Sequence, residues 1–288
     1  MSEENLRKMI EEVVRSYYAK GDESIPTPIK TSKELAGLED ITQYTMETFL
    51  RVPKPENKDA YMNYKKATPA RVGIWRAGPR YTTETMLRFR ADHAIAQDAV
   101  FSHVSEDLIK SKNWLSLQTV ITEKDEYLTR PDLGRILNEE SVKALKQKYP
   151  QPPKVVVYVS DGLSSIATET NAYDAFKAIE MGLKAQGISV DDPFFLKYGR
   201  VPAMDHVAEL TGAEVTAVLI GERPGLATGE SMSCYLIYKG KVGNAESMRT
   251  VVSNIHKNGT PALEAGSYIA DIIKRMLNEK KSGVDLKL

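Results

Sequence analysis

Two carboxylates, Asp161 and Glu222, each follow an apolar run and stand beside a glycine, in Ser160-Asp161-Gly162-Leu163 and Gly221-Glu222-Arg223-Pro224-Gly225. A carboxylate so placed can act as a general acid or base, cap a helix, or accept hydrogen bonds from a polar ligand. The other reactive groups do not complete a motif. His93, His103, His206 and His256 are too dispersed for metal-ligand spacing, and each reads as a hydrogen-bonded structural histidine. Cys234, the single cysteine, lies inside an apolar run, where an inert buried thiol is expected. The chain has no nucleophile elbow, no GxGxxG string and no phosphate-loop string, so nothing supports a nicotinamide or triphosphate cofactor. Arg71, Arg76, Arg80, Arg88 and Arg90 are crowded around Gly73, Gly78 and Pro79 without a nearby acid before Glu84. Guanidinium groups in that density suit carboxylates, either of the same chain or of another subunit.

The elements that must position these groups are legible from periodicity. After Pro150, Pro152 and Pro153, the continuous run Val155, Val156, Val157, Tyr158, Val159 is of the kind buried on both faces of a parallel sheet. A helix carrying Ala172, Phe176, Ile179 and Leu183 follows, then a strand over residues 194–197, a helix over 204–210 and an apolar strand over 215–220. Residues 233–238 add a strand. Thr260 and Pro261 precede a last helix with the stripe Ala262, Ala265, Ile269, Ile272, Ile273, Met276. Strands alternating with helices imply right-handed crossovers and an open parallel sheet over residues 151–288, with ligands at the carboxyl ends of the strands. Three glycine-bearing loops, 160–163, 198–201 and 221–225, should open there, since glycine lets backbone approach a ligand or take φ > 0.

Residues 68–150 read as mainly helical. One helix over 84–104 has Leu87, Ala91, Ala94, Ile95 and Ala99 on its inner face, and a strand is expected at 115–121. Residues 1–19 are expected to form an amphipathic helix with Leu6, Met9, Ile10, Val13, Val14, Tyr17 and Tyr18 on one side. Residues 20–67, with a weak helix at 41–50, have the composition of a linker. The apolar face of the first helix has three possible destinations: the chain's own body, a membrane surface, or a groove on another protein. Its mixture of acids and bases argues against the membrane.

The totals narrow the field. The 288 residues are 42% hydrophobic, and 39 basic residues balance 39 acidic ones, so no net charge draws in nucleic acid or an anionic membrane. One cysteine allows no internal disulfide and fits a cytoplasmic protein. No run approaches the ~20 apolar residues that span a bilayer, and the N-terminus lacks a secretory h-region.

From about residue 68 to the C-terminus the chain resembles the small subunits of ethanolamine ammonia-lyase. The similar blocks are RAGPR at 76–80, LRFRADHA at 87–94, YLTRPDLGR at 127–135, SDGLS at 160–164, YGRV at 198–201, GERPGL at 221–226 and SNIH at 253–256. The resemblance implies a helical domain followed by a Rossmann-like domain that covers adenosylcobalamin at the interface with a large, barrel-shaped catalytic subunit. The enzyme of that family converts ethanolamine to acetaldehyde and ammonia by a radical route, and its catalytic groups belong to the large subunit. By matching positions, the cofactor contacts would be Val201, Glu222 and Val251, with Asp161 and Gly162 as further candidates. The family pattern has cysteine at Val251, so a contact made by backbone survives there and one made by the thiol is lost; it has glycine at Trp75, which bears on the local packing. The DxHxxG motif of proteins that put their own histidine on cobalt is not completed after Asp92 and His93, which implies that the cofactor keeps its own base on the metal. The family also implies that residues 1–19 bind a bacterial microcompartment shell protein, placing the chain in the compartment lumen. Two readings outside this resemblance remain open. One is an autonomous α/β enzyme with a nucleotide-like ligand and Asp161 as acid or base; the other is a non-catalytic adaptor built on the arginine-rich segment and the first helix.

Overall fold

The computed structural model describes Ile41 and residues 43–287. The amphipathic helix expected over 1–19 therefore lies outside the described residues. The described residues of 41–50 make turns and bends instead of the expected helix. β-branched Thr45 and Thr48, with Pro53 close behind, work against helix propagation there. The first helix of the described residues is instead α1 (Lys58–Ala67), inside the expected linker, where the Asn57 side chain accepts from Ala60 N at 2.9 Å. Lys65 on α1 is only 2% exposed and donates to Val72 O.

A short hairpin, β1 (Arg76–Ala77) with β2 (Arg80–Tyr81), leads into α2 (Thr83–Phe101). The inner face of α2 differs from the sequence expectation. Leu87 and Ile95 are 48% and 51% exposed, whereas Thr85, Asp92, Ala96 and Ala99 are buried. The cause is Asp92, which pairs with Arg71 (2.6 Å) and Arg88 (2.9 Å) and turns its own side of the helix inward. A buried carboxylate with two guanidinium partners is tolerated where an unpaired one is not.

The chain continues through α3 (Glu106–Ser111), β3 (Leu115–Gln118), α4 (Lys124–Thr129), a 3-10 turn at Leu133–Arg135 and α5 (Glu139–Lys148). Then come β4 (Val155–Ser160), α6 (Ser165–Ala185), β5 (Phe194–Lys197), α7 (Ala203–Thr211), β6 (Val215–Gly221), β7 (Met232–Tyr238), β8 (Thr250–Ile255) and α8 (Ala262–Glu279). The six-stranded sheet runs β3-β5-β4-β6-β7-β8. Its first four strands are parallel, as expected for an open α/β sheet. The last two are antiparallel, because residues 222–231 are too few to carry a crossover and the chain folds straight back. The division read at residue 150 runs through this sheet, since β3 pairs with β5 from Leu115↔Phe194 to Gln118↔Lys197.

Every residue of β4 and of β6 is buried, and alternate residues feed two cores. Val155, Val157 and Val159 face α6 and α8, while Val156 and Tyr158 face α5 and α7. The stripe read on the last helix is buried at Ala265, Ile269, Ile272, Ile273 and Met276, each large side chain contributing about 1.5–3 kcal/mol of burial. Pro261 rather than Thr260 stands at its N-cap, and no side chain caps that end.

Candidate functional site

The helices after β4 and β5 leave to opposite faces of the sheet, so the carboxyl ends of these strands form the switch point at which open α/β sheets bind ligands. Asp161 sits there, 1% exposed. Its Oδ1 accepts from Gly162 N (3.0 Å) and Ser160 Oγ (3.3 Å), and its Oδ2 accepts from Tyr198 N (3.0 Å). Burial pushes its pKa up, against the Tyr198 N–H and the Lys124 charge. Tyr198 takes φ +59, a left-handed conformation held by this bond. Asp161 thus ties two of the three glycine loops together. Gly162 joins the third, with φ +58 and no room for a side chain, since a Cβ would stand 2.2 Å from Gly221 O. Leu163 N also donates to Gly221 O at 2.9 Å. The structure puts Gly162 to use in packing loop on loop.

Glu222 and Val251 meet on the α7 side of the sheet, and Val201 packs on the core of that same side. The link is Tyr235, a residue not singled out from the sequence. On β7 it pairs across to Val251 on β8 and to Val218 on β6, so their side chains share a face. Its hydroxyl donates to Glu222 Oε1 at 2.9 Å. Burial, then the Glu222 charge, pushes its pKa up to about 12, so it is a proton donor at neutral pH. Val201, Tyr235 and Met248 all pack on the same core cluster. Val251 is 45% exposed, and Glu222 Oε2 has no hydrogen bond or ion pair among the described residues. This makes an apolar shelf with one carboxylate oxygen free for a ligand. Tyr235 is half-buried where its neighbours on β7 are buried, and no alternation in that strand marks it in the sequence.

Beside the shelf, Arg249 pairs with Asp205 at 2.6 Å and with Glu246, joining the start of β8 to α7. Asp205, His206, Pro202 and Arg249 help line a cavity of 440 Å³. His206 Nδ1 accepts from Leu137 N at 3.1 Å, and His256 bonds Asn254 Oδ1 at 2.8 Å, so both act as structural histidines. Cys234 is fully buried, and burial pushes its thiol up. No group of three potential metal ligands occurs among the described residues. Within the arginine-rich segment, Arg71 and Arg88 pair with Asp92 of the same chain, and Arg76 stacks on Tyr81, while Arg80 and Arg90 are exposed. Trp75 is 42% exposed.

A cobalamin needs an apolar support for a flat macrocycle and acceptors for the amides around its rim. Val251 and Tyr235 beside the free Glu222 oxygen have that chemistry, and Val201 adds apolar surface on the same face of the sheet.

Comparison with known proteins gives a consistent result. Residues 58–287 match the family described as ethanolamine ammonia-lyase light chain. The chain is 53% identical to the ethanolamine ammonia-lyase small subunit of Clostridium tetani, covering 100% of this chain and 99% of that one. It is likewise 53% identical to the small subunit of Fusobacterium nucleatum and 48% identical to that of Listeria monocytogenes, with 100% of each chain covered.

Proposed function

The chain belongs to the ethanolamine ammonia-lyase light-chain family, and on that premise we propose that it is the small subunit of the lyase that converts ethanolamine to acetaldehyde and ammonia. Its relatives' name implies a large-subunit partner, which on this reading supplies the substrate site and catalytic groups. The small subunit then serves as a Rossmann-like cradle for adenosylcobalamin at the interface. The observation that carries the cofactor reading is the meeting of Glu222 and Val251 at Tyr235, on the sheet face whose core Val201 also packs against.

When bound, the cofactor would supply homolysis of its cobalt–carbon bond. The residues of this chain bind and orient. Glu222 accepts from a rim amide through Oε2 while Tyr235 fixes Oε1. Val201 and Val251 exclude water from the adjoining edge. Val251 contributes surface where the family pattern has a thiol, so the contact does not depend on sulfur. Asp161 and Gly162 support the shelf from beneath by holding the loops, a role that removes Asp161 from acid or base work.

Among the described residues, no helix is long and apolar enough to cross a membrane. Residues 1–19 complete the reading as a segment that docks on a microcompartment shell protein, bringing the enzyme into the lumen.

The test is reconstitution. Ammonia release from ethanolamine with adenosylcobalamin should occur only when this chain and the large subunit are combined. Activity of this chain alone would return the autonomous-enzyme reading, and an inactive mixture of folded subunits would favour the adaptor.

A further inference from the structure

The switch point at the carboxyl ends of β4 and β5 carries more positive charge than the fold uses. Lys124 at the start of α4, Lys197 at the end of β5 and Arg200 in the following loop surround two tyrosine rings whose centroids are 5.7 Å apart. Lys124 Nζ lies 5.1 Å from the Tyr127 ring and 6.0 Å from the Tyr198 ring. Lys197 Nζ is 5.0 Å from the Tyr198 ring, and Arg200 Cζ is 4.0 Å from the Tyr127 ring. His103 meets the edge of Tyr198 at 6.1 Å.

These cations lack anionic partners of their own. None of the three makes an ion pair among the described residues. Lys124 is 8% exposed, and the one hydrogen bond of its ammonium is a long 3.4 Å contact to Ser102 O. Arg200 gives one guanidinium nitrogen to Tyr127 O, but its Nε is buried without a partner. The nearest acid at the centre, Asp161, already has both oxygens engaged. The groups also press on one another. Burial, then Arg200 and Lys197, pulls the Lys124 ammonium below its ordinary value against the attraction of Asp161; burial, then Lys124 and Lys197, does the same to His103. Cations held together at partial burial are stabilised by an anion that satisfies them jointly.

We propose that Lys124, Lys197 and Arg200 form a binding site for a phosphate-class oxyanion at the carboxyl ends of β4 and β5. Val201 follows Arg200 directly, so the site adjoins the cofactor shelf in the chain. The source of the anion is then the phosphodiester in the nucleotide tail of the cobalamin, an assignment that rests on the cofactor reading above; the site itself does not.

The experiment uses the full chain assembled with the large subunit. Equilibrium affinities are measured from the corrin absorption change for cobinamide phosphate and for cobinamide, the same macrocycle with and without the phosphate. Inorganic phosphate is titrated separately by calorimetry. The phosphate-bearing corrin should bind roughly tenfold to a hundredfold more tightly. Lys124→Gln and, independently, the less buried Lys197→Gln should each bring that ratio toward one. A ratio near one in the unaltered complex, together with inorganic phosphate that binds it but neither variant, would keep the site and assign it to free phosphate. If neither corrin binds but inorganic phosphate does, the cofactor reading fails and the site stands. A ratio near one without phosphate binding overturns the proposal. So does loss of the large subunit from both variants in size-exclusion chromatography with no phosphate binding by the unaltered complex, which would make the cations a surface for acidic groups of the partner.

Discussion

Glu222 is bonded on one side and open on the other, and that asymmetry gives it a measurable role. Tyr235 holds Oε1, so Oε2 points to a fixed place, and a ligand amide meets an acceptor that has already lost its freedom. A hydrogen bond to an ionised carboxylate contributes roughly 1.5–3 kcal/mol. Glu222→Ala should therefore weaken adenosylcobalamin binding about tenfold to a hundredfold. Tyr235→Phe, which frees Glu222 without removing it, should weaken binding by a smaller factor, and the two changes together should cost less than their sum. Spectroscopic titration of the assembled enzyme tests both; unchanged affinity in Glu222→Ala would take that residue out of the site. His206 poses a different question, that of acid stability. Burial lowers its pKa below the ordinary 6.5, with Glu209 opposing and Lys146 adding, and the neutral ring is the form whose Nδ1 accepts from Leu137 N. The folded protein thus binds this proton less readily than the unfolded chain. Its contribution to stability is intact above about pH 6.5 and declines as the pH falls below that value. His206→Asn keeps an acceptor but cannot titrate, so its urea midpoint should fall less than that of the unaltered chain between about pH 7.5 and about pH 5.5.

The elements differ in how plainly their residues announce them. The buried strands β4 and β6 are legible because runs of β-branched residues have no other good home, and both are buried throughout. The apolar stripe of α8 is equally plain and faces the core as its spacing requires. On α2 the same reasoning misplaces the core face. There the helix is oriented by Asp92, paired with Arg88 one turn before it and with Arg71 from the segment ahead of the helix, and the contact with Arg71 overrides the weaker pull of Leu87 and Ile95. The α1 helix hides in a charged, proline-flanked segment, although its cap at Asn57 and its lysines in the last turn were visible signs. For the site, Val201 and Glu222 could be placed in loops from the strand pattern alone. Tyr235 could not, because its meeting with Glu222 and Val251 depends on β7 and β8 being antiparallel and on their register. The packing of α6 against α8 yields its own prediction. A Cβ added to Gly266 would stand 2.4 Å from Ala175 O and 2.6 Å from the Ala178 side chain. Gly266→Ala should force the helices apart at a cost of about 1–3 kcal/mol, outweighing the better helix propensity of alanine. A fall in the urea midpoint would register it, while a rise would show that the helices slide to make room.

At the scale of the whole chain, the first segment and the body answer to different constraints. Curated relatives align along 100% of the chain, whereas the family match begins at residue 58. The cofactor shelf, the loops tied by Asp161 and the cationic switch point all belong to residues beyond 58. The amphipathic helix expected from the sequence of residues 1–19, with acids and bases interleaved on its polar side, would suit a groove on another protein better than a lipid surface. If it docks on a shell protein, then catalysis and encapsulation are separable by cutting the chain ahead of the body. Deletion of residues 1–19 should leave ammonia release by the reconstituted enzyme close to that of the full chain. The same deletion should abolish co-purification of the enzyme with microcompartment shells, and fusing residues 1–19 to an unrelated soluble protein should carry that protein into the shell fraction. Undiminished co-purification after the deletion would assign encapsulation to the body or to the large subunit, and loss of ammonia release would give the segment a part in assembling the two subunits.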